Sequence, residues 1–171
     1  QSKPLLAMTI GAAFDLAVER FPEREALVVR HQELRYTWKQ LAEEVDRCAQ
    51  GLLSLGLEVG ERVGIWSPNC AQWCIAQFAT AKVGVVLVNI NPAYCPSEIE
   101  YALKQSGCRW LISSDVFKSS NYHEMLYTLL PELKSCDAGA IKSDKLPELR
   151  GVITLSEQPA EGMLSWTDLL G

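Results

Sequence analysis

The sequence predicts an α/β fold: a mostly parallel sheet with helices on both faces, plus one antiparallel hairpin near the start. Three observations lead there. Arg62 to Asn91 reads as strand, turn, helix, strand and turn, a right-handed βαβ unit of the usual ~30 residues. Two more short apolar runs, Trp110 to Ser113 after a short helix and Val152 to Leu155 after a polar loop, are further strand candidates. Ahead of all of these, Ala26 to Arg30 and Leu34 to Thr37 flank His31-Gln32-Glu33, which is hairpin spacing.

Each element has a local reason. Thr9 is placed to cap a helix from Ile10 to Phe21, with Phe14, Ala17, Val18 and Phe21 on one face, and Pro22 ends it. After the hairpin, Thr37-x-x-Gln40 is a capping box. It opens a helix to Leu55 whose stripe is Trp38, Leu41, Val45, Cys48, Leu52 and Leu55, while Asp46, Arg47 and Gln50 take the wet side. Gly56 closes it.

In the βαβ unit, Asn69 is the expected helix cap, with Gln72 at the capping-box position and Gly84 at the far end. The helix carries Trp73, Cys74, Ile75, Phe78 and Ala81 and is apolar nearly all round. Val85 to Val88 is apolar at every position, so that strand is expected to be covered on both faces. An Asn91-Pro92 elbow leads to a short helix, Pro96 to Gln105, with Ile99, Ala102 and Leu103 inward and Gly107 as its stop. Asn121-x-x-Glu124 caps a helix through Leu130, buried by Met125, Leu126, Leu129 and Leu130. Residues 134–148 are polar and contain Asp137, Gly139 and Pro147, a loop and the expected place of disorder. A polar turn follows the Val152 to Leu155 strand, and Ser165 caps a stub from Trp166 to Leu170. Nothing between these elements reads as a linker, so one domain is expected.

Composition narrows the function. The chain has 171 residues, 48% hydrophobic and 22% charged, which suits a globular domain with a sizeable core. The net charge of -5 argues against a nucleic-acid partner, which would need a basic stripe. No transmembrane span is expected, because the most apolar window, Cys74 to Ile90, is broken by Gln77, Lys82 and Asn89. The chain opens on Gln1-Ser2-Lys3 with neither Met nor a secretory segment, so it is expected to be processed or trimmed. Six cysteines show no paired framework and read as reduced, packed thiols.

Chemistry-bearing patterns are sparse. Cys70 and Cys74 share one helix face at a metal-like spacing, but no second Cys/His pair stands nearby. His31 lies at a hairpin tip and His123 in a first helical turn, and both read as surface residues. There is no G-x-G-x-x-G after a strand, no G-x-x-x-x-G-K-[ST], no G-x-S-x-G and no H-E-x-x-H. Ser113-Ser114-Asp115 and Ser119-Ser120 lack a base and a glycine and read as strand-end loops. If a small-molecule site exists at the strand carboxyl ends, Asn69, Asn91 and Ser113 would line it. No complete catalytic site can be assembled.

Five pieces in fixed order nonetheless form a pattern. They are Tyr36-Thr37-Trp38-x-x-Leu41, Gly56-Leu57-x-x-Gly60-Glu61-Arg62-Val63, Pro68-Asn69, Ala81-x-x-Gly84, and Asn89-Ile90-Asn91-Pro92-Ala93-Tyr94 leading to Glu98-Ile99-x-Tyr101-x-Leu103. This resembles the N-terminal portion of the adenylate-forming acyl-CoA synthetases, relatives of luciferases and of peptide-synthetase adenylation domains. Within that superfamily it is similar to the mitochondrial medium-chain acyl-CoA ligases. The resemblance implies that residues 1–171 are an N-terminal fragment of a larger domain. It implies a full-length enzyme that activates a fatty acid with ATP and magnesium to acyl-AMP, then transfers the acyl group to CoA, in mitochondria. The family's phosphate loop, ribose-binding Asp, Arg and C-terminal Lys have no counterpart here. No catalytic, cofactor-binding or metal residue therefore carries over, and the fragment is expected to be inactive, to bind none of these cofactors and to expose an apolar face toward the remainder. The Pro68-Asn69 turn and the Asn91-Pro92 elbow carry over as scaffold. The alternative is a stand-alone α/β module for binding or assembly.

Overall fold

The computed structural model describes residues 7–158 and 160–171. Pro159, in the turn expected after Leu155, lies outside the described residues. The chain opens with α1 (Ile10–Arg20), whose Thr9 hydroxyl accepts from the Ala12 amide. Hairpin strands β1 (Glu25–Val29) and β2 (Leu34–Thr37) follow, joined by a 3-10 turn at Arg30–Gln32 and by Glu33 in the left-handed conformation. The capping box at Thr37 and Gln40 is formed in both directions and starts α2 (Trp38–Ser54). Then come β3 (Arg62–Trp66), α3 (Ala71–Val83) and β4 (Val86–Ile90). Gly84, at φ 75°, ends α3 in the left-handed region that favours glycine.

Helix α4 (Pro96–Ser106) starts on a proline and is closed by left-handed Gly107. Strand β5 (Trp110–Ser113) leads to a small ribbon, β6 (Val116–Phe117) and β7 (Ser120–Asn121), where the serine-rich sequence predicts only loop. The Asn121 side chain caps α5 (Tyr122–Leu129). The chain ends with β8 (Gly151–Thr154), β9 (Leu164–Ser165) and α6 (Trp166–Leu170).

Five strands form one parallel sheet in the order β4-β3-β5-β8-β9, and the hairpin β1-β2 stands apart from it. Side chains alternate across the sheet, as the strand pleat requires. Val63, Ile65, Ile112 and Ile153 enter the core under α1, α2 and α3, where Phe14 meets Phe78 at 4.5 Å. Trp66, Leu111 and Val152 enter a second core under α4 and α5. The first of these layers is fastened in two ways. On the first side, Lys82 of α3 reaches Asp15 of α1 at 2.8 Å and Asp46 of α2 at 2.6 Å. At the chain end, α6 lies so close on α2 that a Cβ on Gly51 would overlap the Leu169 carbonyl oxygen. Residues 134–148 hold no α-helix or strand, but Ile141, Ser143 and Leu146 are buried and Ile141 N donates to Arg150 O at 3.0 Å.

Two expectations need correction. The apolar run Val85 to Val88 is not covered on both faces: β4 is an edge strand and Val86 is 47% exposed. The reason is topological. Helix α3 carries the chain to one side of β3, and α4 carries it back past β3 to β5, which leaves β4 at the margin. The second concerns the start of α3. Cys70, not Asn69, is the capping residue, and no side chain nearby in sequence accepts from the first turn. Gln32 does so from the hairpin turn: its Oε1 accepts from Ala71 N at 2.7 Å, and its Nε2 donates to Gln72 Oε1 at 3.0 Å. The orphan donor of the helix is satisfied across space.

Candidate functional site

In an open parallel sheet, ligands sit at strand carboxyl ends where successive connections diverge. Here the chain leaves β3 toward β4 and leaves β5 toward β8, so the divergence lies between the ends of β3 and β5. That point is closed by neutral polar groups. Ser67, just past β3, pairs with Ser114, just past β5, oxygen to oxygen at 2.8 Å. Ser113 is buried and donates to the Ser114 carbonyl at 2.8 Å. One strand further, Thr154 Oγ1 stands 3.0 Å from His123 Nε2 and accepts from Ser156 N.

Beside this closed point lies an open cleft of about 610 Å³, lined by Ser67, Pro68, Asn69, Trp73, Asn89, Ile90, Asn91, Pro92 and Phe117. Its far wall is the elbow, and the elbow is held from beneath. Trp66 Nε1 donates to Asn91 O at 3.1 Å, and Tyr122 OH donates to Pro92 O at 2.5 Å. The two rings stack at 3.9 Å, nearly parallel. Burial pushes the Tyr122 phenol up to about 12. Asn91 Oδ1 is engaged by Ala93 N at 2.9 Å, an Asx turn that explains the residue without any ligand.

Of the three residues expected to line such a crevice, Asn69 and Asn91 do so, while Ser113 faces the core. No sequence signal marks Trp66 and Tyr122 as supports of the site, because nothing in their spacing links them. None of the nine lining residues is charged. The cleft therefore has no cation for a phosphate, no carboxylate for a metal ion and no base for proton transfer.

The opposite ends of the same strands carry the charge. Glu61 Oε1, just before β3, accepts from Arg109 Nε at 2.9 Å and from Arg150 at 3.3 Å, and Arg109 also pairs with Glu148. Partial burial works against the Glu61 charge, but the Glu58 amide and the two guanidinium groups outweigh it and hold its carboxyl below the usual range.

Other candidates resolve individually. His31 lies exposed in the 3-10 turn. His123 is not a simple surface residue, because α5 turns it inward onto Thr154, and burial lowers its pKa against the pull of nearby Asp115. All six cysteines are free thiols. Burial pushes Cys48 up to about 12 and raises Cys74, with Cys70 adding to the latter. Among the described residues no three His, Cys, Asp or Glu side chains are grouped to hold a metal ion. No described helix is long and apolar enough to cross a membrane.

Comparison with known proteins adds what the cleft alone does not. The pattern that defines the AMP-binding enzymes matches residues 14–166. The mouse protein described as medium-chain acyl-CoA ligase ACSF2, mitochondrial, is 43% identical over 166 residues, covering 97% of this chain and 27% of that protein. Its human counterpart is 45% identical over 162 residues, covering 95% and 26%. Among solved structures, acetoacetyl-CoA synthetase from Streptomyces lividans superposes with a TM-score of 0.78 at 26% identity, over 99% of this chain and 26% of that one. The chain thus spans about a quarter of the length of the curated relatives it matches. By that match over nearly all of its residues, the chain belongs to the AMP-binding enzyme family.

Proposed function

We propose that the chain is the N-terminal part of an AMP-forming acyl-CoA ligase acting on fatty acids of medium length in mitochondria. The observation that carries this is the identity of 43–45% to mitochondrial medium-chain acyl-CoA ligases over nearly the whole chain. In the reaction, a fatty acid carboxylate attacks the α-phosphorus of ATP, pyrophosphate leaves, and the CoA thiol then displaces AMP to give the thioester.

The residues in hand do not fit ATP or magnesium. The carboxyl-end cleft has no charged side chain, and the Glu61, Arg109, Glu148 and Arg150 cluster lies at the opposite end of the sheet, already paired within itself. No step of the reaction is assigned to this chain. Its part is to hold the β3 and β4 ends and the elbow in fixed relation, a wall on which catalytic groups from elsewhere in the polypeptide are positioned. Ile10, Leu53, Val59 and Val116 leave large apolar side chains at the surface, which fits a segment covered by further protein.

The test is octanoate-dependent exchange between ATP and labelled pyrophosphate. The 171-residue chain alone gives none, while a polypeptide of the relatives' full length carrying it gives exchange and, with CoA, releases AMP. Exchange by the 171-residue chain would overturn the scaffold assignment. A full-length polypeptide that is inactive with every fatty acid would overturn the ligase reading.

A further inference from the structure

The outer edge of β4 is built to receive a strand, and we propose that the strand is β4 of a second copy of this chain. The main-chain geometry comes first. Val86 N donates to Glu61 O at 2.8 Å, and Arg62 to Trp66 pair in register with Val86 to Ile90. In a parallel ladder the groups that face a neighbour alternate. Val86, Val88 and Ile90 therefore turn their N–H and C=O groups toward β3, and Leu87 and Asn89 turn both of theirs outward. Among the described residues no hydrogen bond from these outward groups is present.

Two outward residues separated by one inward residue are self-complementary. Turned about a two-fold axis at Val88, Leu87 faces Asn89 of the copy and Asn89 faces its Leu87. Each facing pair can exchange both of its hydrogen bonds, as antiparallel strands do. Between them Val88 meets Val88 in the close, non-hydrogen-bonded position, where β-branched side chains pack well. The two five-stranded sheets would then run on as one.

The edge also lacks the usual guards. Proteins protect exposed edges with charges, proline or bulges. Val86-Leu87-Val88-Asn89-Ile90 has no charge and no proline, and its register with β3 is unbroken. The chain carries a net charge of -5, yet none of it is on this strand, so two copies meet there without facing like charges. Two apolar side chains stand ready beside it. Val86 is 47% exposed on the strand and Tyr101 is 69% exposed on α4, the helix that packs beside β4. The pairing is independent of the ligase reading, because it uses only main-chain groups and uncharged side chains. An interface of one strand and its flank is small, so the association falls in the micromolar range, ~1 to ~100 µM.

Sedimentation equilibrium and light scattering on the 171-residue chain test this. The mass is expected to rise from 19.0 kDa toward twice that value with concentration. Raising salt from about 0.05 M to about 0.5 M shortens electrostatic range and should not weaken a neutral edge. Asn89→Pro removes one outward N–H and leaves the β3 ladder intact, and Val86→Lys adds a guard charge. Each is expected to weaken the dimer at least tenfold while circular dichroism stays unchanged. If Asn89→Pro does not fold, Val86→Lys and hydrogen exchange at the Leu87 and Asn89 amides decide, with protection expected only at dimer concentrations. A monomer at every concentration overturns the proposal and leaves the edge to a strand of another polypeptide or of a longer form of this one. So does a dimer that salt dissolves, or one that neither substitution weakens.

Discussion

The two ends of the central sheet are fastened by different physics. At the amino ends, Glu61, Arg109, Glu148 and Arg150 tie β3, β5 and β8 together with charge. At the carboxyl ends, the stacked Trp66 and Tyr122 hold the elbow after β4 and the Ser67–Ser114 pair joins β3 to β5, all through neutral hydrogen bonds. The difference teaches where a ligand could be admitted. The charged end is already saturated with its own partners, whereas the neutral end leaves an open cleft and a held elbow.

Four measurements break or sharpen this contrast. Trp66→Ala should do the most damage, because it empties a fully buried ring site and frees Asn91 O, at about 3–5 kcal/mol of stability. Denaturant unfolding checks the size of the loss, which should not change with salt, and hydrogen exchange should quicken through 91–94. Glu61→Gln should cost about 1.5 kcal/mol at neutral pH, because charge-assisted hydrogen bonds to two arginines are lost in a partly exposed site.

That second loss has a pH signature. The folded Glu61 pKa is depressed, so its stabilisation is fully present above the ordinary glutamate value of about 4.3. It disappears as pH falls through the lower folded value. Wild type and Glu61→Gln should therefore converge in acid, while wild type and Trp66→Ala keep their separation. Parallel loss in both variants would mean that the two ends are not distinct.

Tyr122→Phe should cost about 1 kcal/mol, since it removes one hydrogen bond to Pro92 O and keeps the stacked ring. Unlike Glu61→Gln, it should be indifferent to salt. Gln32→Ala should cost least, about 0.5–1 kcal/mol, the usual worth of a helix cap. Faster exchange confined to the first turn of α3 is the readout.

Much of the fold was legible in the sequence, and the errors share a cause. The capping box at Thr37, the caps at Thr9, Asn121 and Ser165, and the glycine stops at Gly84 and Gly107 depend on residues within a few positions of each other. Local chemistry decides them. Strands β4 and β5 are both short and largely apolar, yet β5 is buried at every residue and β4 is not. Composition does not separate a central strand from a marginal one; the direction of the crossovers does. Asn69 fitted the capping rule, but a glutamine distant in sequence took the role. The cleft was legible in part: Asn69 and Asn91 line it, Ser113 does not, and the Trp66–Tyr122 support joins residues with no periodic relation. The family resemblance rested on ordered motifs, and the match over residues 14–166 agrees with it.

The long-range cap on α3 also makes the hairpin a guardian of the central unit. Ala71 N–H finds its acceptor on a side chain 39 residues earlier, at the tip of the first hairpin. The first helical turn has this amide satisfied only where the hairpin is docked, so displacing the hairpin should fray the start of α3.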